Sequence, residues 1–279
     1  MILDFHAHLF PHDIRGNRER FFPGEPEFEW LYKPQKSRIA GAQDILAAMD
    51  QDGVDISVVF GFPWRKASLV KKHNDYILEK VHAHPQRLLG FACVDIRDGG
   101  AAKEAERCLN AGLRGIGELA CYGAGMDSEA LARLDPIMAL ARERNVPVLV
   151  HVNEPVGHAY PGKAPMTLAQ IWGLVARFPK NILVLAHWGG GIFFYALLKK
   201  EAAQVFKNVY LDTAASPFVY DDRIYAMACQ IFGPEKILFG TDFPLIQAKR
   251  YLEQITRAGL DPAHKEAILG GNAKRLLAS

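Results

Sequence analysis

The 279-residue chain is poor in cysteine, with four, and nearly without net charge, Lys+Arg 33 against Asp+Glu 31 for +2. Cys93, Cys108, Cys121 and Cys229 form no CxxC pair, which points to reduced thiols in a cytoplasmic protein. So balanced a surface speaks against a dedicated nucleic-acid or anionic-membrane binder. A membrane helix needs about 20 apolar residues. The most apolar stretch, Ile182–Leu198, is shorter and is cut by His187 and Gly189-Gly190-Gly191. The opening MILDFHAHLF has neither a basic n-region nor a long apolar h-region, so no signal peptide is expected. No GxGxxG or P-loop follows any apolar run, which weakens the case for an open nucleotide-binding sheet.

What is present is the composition of a globular chain, 49% hydrophobic and 23% charged, long enough to bury one large core. Short apolar runs alternate with amphipathic segments. The runs are Ile2–Phe5, Val54–Phe60, Leu88–Val94, Leu113–Leu119, Val146–Val152, Ile182–His187, Val209–Thr213 and Ile237–Asp242. Several are nearly continuous in Val, Ile and Leu, as strands buried on both faces of a parallel sheet must be. Helical spacing marks Ala42–Gln51, Leu69–His82, Ala101–Asn110, Glu129–Arg144, Leu168–Arg177, Ile192–Val205, Ile224–Ile231 and Ala248–Arg257, with a short terminal helix over Asn272–Leu277. Eight such units predict an α/β fold, a single-domain (β/α)8 TIM barrel over residues 1–279. The segment Leu9–Gly41 breaks the alternation and reads either as a lid or binding loop over the barrel mouth or as a hairpin covering apolar surface.

Chemistry concentrates at the strand ends. In Asp4-Phe5-His6-Ala7-His8 the two imidazoles are i and i+2 on a strand, so both can face the mouth and ligate one metal. His82 and His84 share the spacing but end a helix, where i and i+2 diverge, and are read as surface residues. Glu118, His151, His187 and Asp242 end the fourth, fifth, sixth and eighth runs, and in a barrel these ends converge. Trp64, Arg65, Trp188, Tyr122, Asn153 and Glu154 follow strand ends and are the expected pocket walls and substrate contacts.

These motifs, with Ala186-His187-Trp188-Gly189-Gly190, Gly240-Thr241-Asp242-Phe243-Pro244 and Gly271-Asn272-Ala273, resemble the amidohydrolase superfamily over essentially the whole chain. Within it the chain is similar to the amidohydrolase-related family that holds aminocarboxymuconate-semialdehyde decarboxylase and several lactone or amide hydrolases. The resemblance implies that His6, His8, His151 and Asp242 ligate one divalent metal, usually zinc, with His187 beside it as base or charge stabiliser. Glu118 departs from that pattern. Its Gly117-Glu118 context is similar to the TatD-type hydrolases, where the glutamate serves a two-metal site, so a second ion is the alternative. Homo-oligomers are common in the family.

The leading expectation is a metal-dependent hydrolase of an amide, lactone or ester-like bond. In it a zinc-activated water attacks the carbonyl, Asp242 moves the proton and His187 steadies the oxyanion. The alternative is a non-oxidative decarboxylase, or carboxy-lyase, of a small unsaturated or aromatic acid. There Arg65 or Arg15, Arg18 and Arg20 of the long insertion would clamp carboxylates. A barrel that keeps its metal only for stability is the third reading. In every case the expected partner is a small molecule.

Overall fold

The computed structural model describes residues 1–123 and 125–278. Its strands are β1 (Leu3–His8), β2 (Ile56–Phe60), β3 (Leu88–Ala92), β4 (Gly115–Leu119), β5 (Val148–Val150), β6 (Leu183–Leu185), β7 (Val209–Asp212) and β8 (Ile237–Leu238). They pair in parallel, in chain order, as one eight-stranded sheet. Its first and last members meet. The amide of Phe5 donates to the Phe239 carbonyl (2.7 Å), Asp242 N to His6 O (2.9 Å) and His8 N to Phe243 O (2.7 Å). The seam is locked by Asp4, whose buried carboxylate accepts from the amides of His6 (3.1 Å) and Thr241 (2.9 Å) and from the Thr241 hydroxyl (2.6 Å). The expected (β/α)8 barrel is the observed fold.

The barrel interior is packed, not hollow. Leu3, Phe5, Val58, Phe60, Phe91, Leu149, Val184 and Leu238 form one cluster, joined from below by Ala273 and Leu276 of the terminal helix. A second, larger cluster lies between the strands and the surrounding helices. Those helices are α1 (Ala42–Asp52), α2 (Ala67–Ala83), α3 (Ala101–Asn110), α4 (Ser128–Glu143), α5 (Leu168–Arg177), α6 (Arg223–Phe232) and α7 (Ala248–Arg257), with α8 (Asn272–Ala278) closing the floor. Their starts follow local chemistry. Asp127 accepts from the Ala130 amide ahead of α4, and Thr167 with Gln170 forms a capping box ahead of α5.

One expected helix is absent. Ile192–Val205 is a 3-10 turn, Ile192–Leu197, and a separate helical turn, Ala202–Val205, with Glu201 between them at φ 68°. Phe194, Leu197 and Leu198 point outward, at 59%, 59% and 50% exposure, so the segment offers no continuous apolar stripe to hold one helix against the sheet.

The insertion between β1 and α1 is no hairpin. It folds as short helical turns, His12–Gly16, Arg18–Phe21 and Pro26–Tyr32, clamped to the loop after β2. Buried Glu25 accepts from the amides of Arg65 (2.7 Å) and Lys66 (3.0 Å), and Glu27 receives the Arg65 (2.8 and 2.5 Å) and Arg97 (2.9 Å) guanidiniums. No described helix is long and apolar enough to cross a membrane.

Candidate metal centre

The six residues that gather at the mouth, His6, His8, Glu118, His151, His187 and Asp242, come from the ends of five strands, β1, β4, β5, β6 and β8. The register of β1 against β2 shifts between Asp4 and Ala7, where inward packing by Leu3 and Phe5 gives way to His6 and His8. Both imidazoles rest on Phe60, at ring-centroid distances of 5.1 and 4.7 Å. Glu118 is the fourth residue of β4, and His151 follows β5 directly. β6 stops at Leu185, two residues earlier than the sequence suggests, because His187 enters a left-handed turn at φ 53°. That turn runs through Trp188 to Gly191 and brings the backbone of Gly190 so close to Asn153 that a Cβ there would collide with the Asn153 carbonyl. Asp242 also sits at positive φ, 57°, held by its amide bond to His6.

Each imidazole spends its outer nitrogen as a donor. His6 Nδ1 donates to Asp212 Oδ2 (2.8 Å), His8 Nδ1 to the Gly61 carbonyl (3.2 Å), His151 Nε2 to Gly162 O (2.9 Å) and His187 Nδ1 to Ala214 O (3.0 Å). These acceptors carry no proton to give, so they set the tautomers, and the four inner nitrogens present lone pairs in the neutral rings. The inner nitrogens face carboxylates. His6 Nε2 and His8 Nε2 lie 3.8 and 3.5 Å from Glu118 Oε2, and 3.6 and 3.4 Å from Asp242 Oδ1. The other Glu118 oxygen meets His151 Nδ1 at 2.9 Å and His187 Nε2 at 3.9 Å. His6 Nε2 is buried with no hydrogen-bond partner at all.

Converging lone pairs and carboxylates require positive charge between them. The electrostatics say the same. Burial opposes a charge on His6, but Asp212, Glu118 and Asp242 outweigh it and raise its pKa to about 10. His151 is likewise raised by Glu118 against its burial. Against their own burial, the neighbouring histidines hold Glu118 and Asp242 below the usual carboxylate range. A field that would keep a proton on a buried imidazole would equally hold a divalent cation, and nitrogen with carboxylate oxygen is a transition-metal donor set. Within 4.8 Å of one another lie ligand atoms of His6, His8 and Glu118, and again of Glu118, His151 and His187.

Of the expected site residues, His6, His8, Glu118, His151, His187 and Asp242 are thus brought together. Of the expected substrate contacts, Tyr122 lies at the cluster, its ring 5.2 Å from His151, and four others lie elsewhere. Trp64 is fully buried and donates to His73 Nδ1 (2.9 Å) beneath the insertion, and Arg65 is paired with Glu27. Trp188 is buried and donates to the Ser216 hydroxyl (3.0 Å), and the Asn153 side chain is bonded to the backbone of Ala164. Arg15 pairs with Asp44, and Arg18 donates to the carbonyls of Ser37 and Pro34. Sequence reasoning missed Asp212. It ends β7, orients His6, and accepts from the amides of His187 (2.9 Å) and Ala214 (3.0 Å), so one carboxylate joins β1, β6 and β7.

A family model described as amidohydrolase matches residues 3–278. The chain belongs to that family. The chain is 23% identical over 306 residues to gamma-resorcylate decarboxylase of a Polaromonas species, covering 90% of this chain and 91% of that one. It is 24% identical over 275 residues to 2-amino-3-carboxymuconate-6-semialdehyde decarboxylase of Dictyostelium discoideum, covering 82% and 74%. Its fold matches the 5-carboxyvanillate decarboxylase of Novosphingobium aromaticivorans, solved with manganese and 4-hydroxy-3-methoxy-5-nitrobenzoic acid, at a TM-score of 0.77 with 14% identity, over 100% and 96% of the two chains. These relatives overturn the expectation of a hydrolase. They are decarboxylases, and the same donor set serves either reaction, which is why the residues alone did not separate them.

Proposed function

We propose that this amidohydrolase-family enzyme is a metal-dependent, non-oxidative decarboxylase of a small unsaturated or aromatic acid. The observation that carries the reading is the convergence of four imidazoles and two carboxylates at the floor of the mouth, in a chain whose relatives over most of its length are decarboxylases. His6, His8, Asp242 and Glu118 would hold the ion. When bound, a divalent ion supplies the charge that grips the acid's oxygens and offsets negative charge building at the reacting carbon. Manganese is supported by the relative solved with it, and zinc by the donor chemistry alone. One ion per chain is expected. A second, between Glu118, His151 and His187, is the alternative.

The reaction adds a proton to the carbon that bears the carboxylate. The C–C bond then breaks, its electron pair stays with that carbon, and carbon dioxide leaves. Two residues would manage the proton. His187 is kept neutral by burial and by His151, with its Nε2 turned to the cluster, so it can accept and return one. Asp242, whose side chain is 18% exposed, is the carboxylate of the cluster most open to the mouth. The test is release of carbon dioxide from hydroxylated benzoic acids by manganese-loaded protein, with metal counted by plasma mass spectrometry. No gas from any acid of the panel, with metal bound, would sink the reading.

A further inference from the structure

Above the donor cluster the rings form a continuous run. Ring centroids step from His6 to His187 (5.5 Å), His151 (5.0 Å), Tyr122 (5.2 Å) and Trp30 (6.2 Å). Trp30 is 42% exposed, so the run climbs from the buried floor to the rim. The insertion delivers a second phenol to the same mouth. Tyr32 ends the helical turn Pro26–Tyr32, fixed by Phe28 (4.8 Å) and Phe10 (5.2 Å), and that turn is in turn anchored by Glu25 and Glu27.

Neither the Tyr32 nor the Tyr122 hydroxyl has a hydrogen-bond partner among the described residues. Both feel the same charges. Burial first, then the carboxylates of Glu118 and Asp242, hold both phenols well above their ordinary value. They therefore stay protonated, two O–H donors without acceptors beside a mouth walled by flat rings.

We infer that Tyr32 and Tyr122 are specificity contacts, binding an oxygen substituent that the acid carries in addition to the carboxylate it loses. The inference rests on the decarboxylase reading and names the side chains that would read such a substituent. Both tyrosines are partly buried at the mouth, so a ligand oxygen that takes their O–H bonds is favoured over an analogue that cannot.

The test is calorimetric titration of the manganese-loaded protein and its Tyr32→Phe and Tyr122→Phe variants with benzoate and with 2-hydroxybenzoate. The wild type should prefer the hydroxy acid. Each variant should lose about 5- to 10-fold in affinity for it, while benzoate affinity and metal content stay unchanged. An absent preference in the wild type, a preference intact in both variants, or no binding of either acid overturns the assignment. A preference that both tyrosines support, without carbon dioxide release from any oxygenated acid, upholds the contacts and overturns the decarboxylase reading instead.

Discussion

Asp212 Oδ2 receives the Nδ1–H of His6 at 2.8 Å, deep in the barrel with both side chains fully buried. This bond decides which His6 nitrogen faces the cluster, and it does so from a strand on the far side of the β8 seam. A histidine that orients a metal through one nitrogen depends on the partner of the other.

Asp212→Asn should therefore keep the fold and lose metal. The amide can offer an N–H to Nδ1, which would turn the His6 lone pair away from Glu118 and Asp242. Manganese affinity, measured by chelator competition, should fall about 10- to 100-fold, with circular dichroism unchanged. Unaltered affinity would show that Asp212 serves packing alone.

Stability should depend on pH with a sign set by the histidines. His6 is raised from 6.5 to about 10, so its contribution in metal-free protein is full below 6.5 and is lost as pH rises toward 10. His73 has the opposite sign. Burial lowers it from 6.5 to about 4, so its contribution is present above 6.5 and is lost as pH falls toward 4. Chelated protein should melt highest between these limbs. Saturating manganese should flatten the alkaline limb, because the ion takes the place of the His6 proton. Melting curves from acid to alkaline pH, with chelator and with metal, check this, and an alkaline limb indifferent to metal would count against His6 as a ligand.

His187→Ala and Asp242→Asn should separate proton handling from metal holding. Both should cut carbon dioxide release by about 10²- to 10⁴-fold. His187→Ala should retain an ion at the His6 and His8 end, whereas Asp242→Asn should also weaken metal binding. Metal content and single-turnover rates on the same samples distinguish the two, and full turnover in either variant would remove that residue from the chemistry.

Gly190→Ala should destabilise by about 2 kcal/mol or more. Its φ is 60°, and the added methyl meets the Asn153 carbonyl. Denaturant unfolding reads the loss. A neutral result would mean that the loop after β5 gives way freely.

Much of this was legible in the sequence because the barrel rule is periodic. Apolar runs separated by amphipathic segments place every run's last residues on one rim, so His6, His8, Glu118, His151, His187 and Asp242 could be named without coordinates. Asp212 obeys the same rule at the end of Val209–Asp212 and could have been found by it. Direction was not legible. Trp64 and Asn153 follow strand ends, yet whether a side chain turns to the mouth or under a loop depends on partners distant in sequence, His73 and Ala164. The left-handed turn at His187 was signalled only by its glycines. The expected helix over Ile192–Val205 failed because periodicity takes no account of which neighbour is there to cover it.

The terminal helix α8 has a consequence beyond packing. With Ala273 and Leu276 filling the bottom of a barrel whose interior is already solid, the centre is a cul-de-sac. Whatever enters past Tyr122 and Trp30 must leave by the same doorway, so on the decarboxylase reading the product would share its exit with incoming acid. In such a vessel one rim would carry all the traffic, and a product shaped like its substrate would compete with it there.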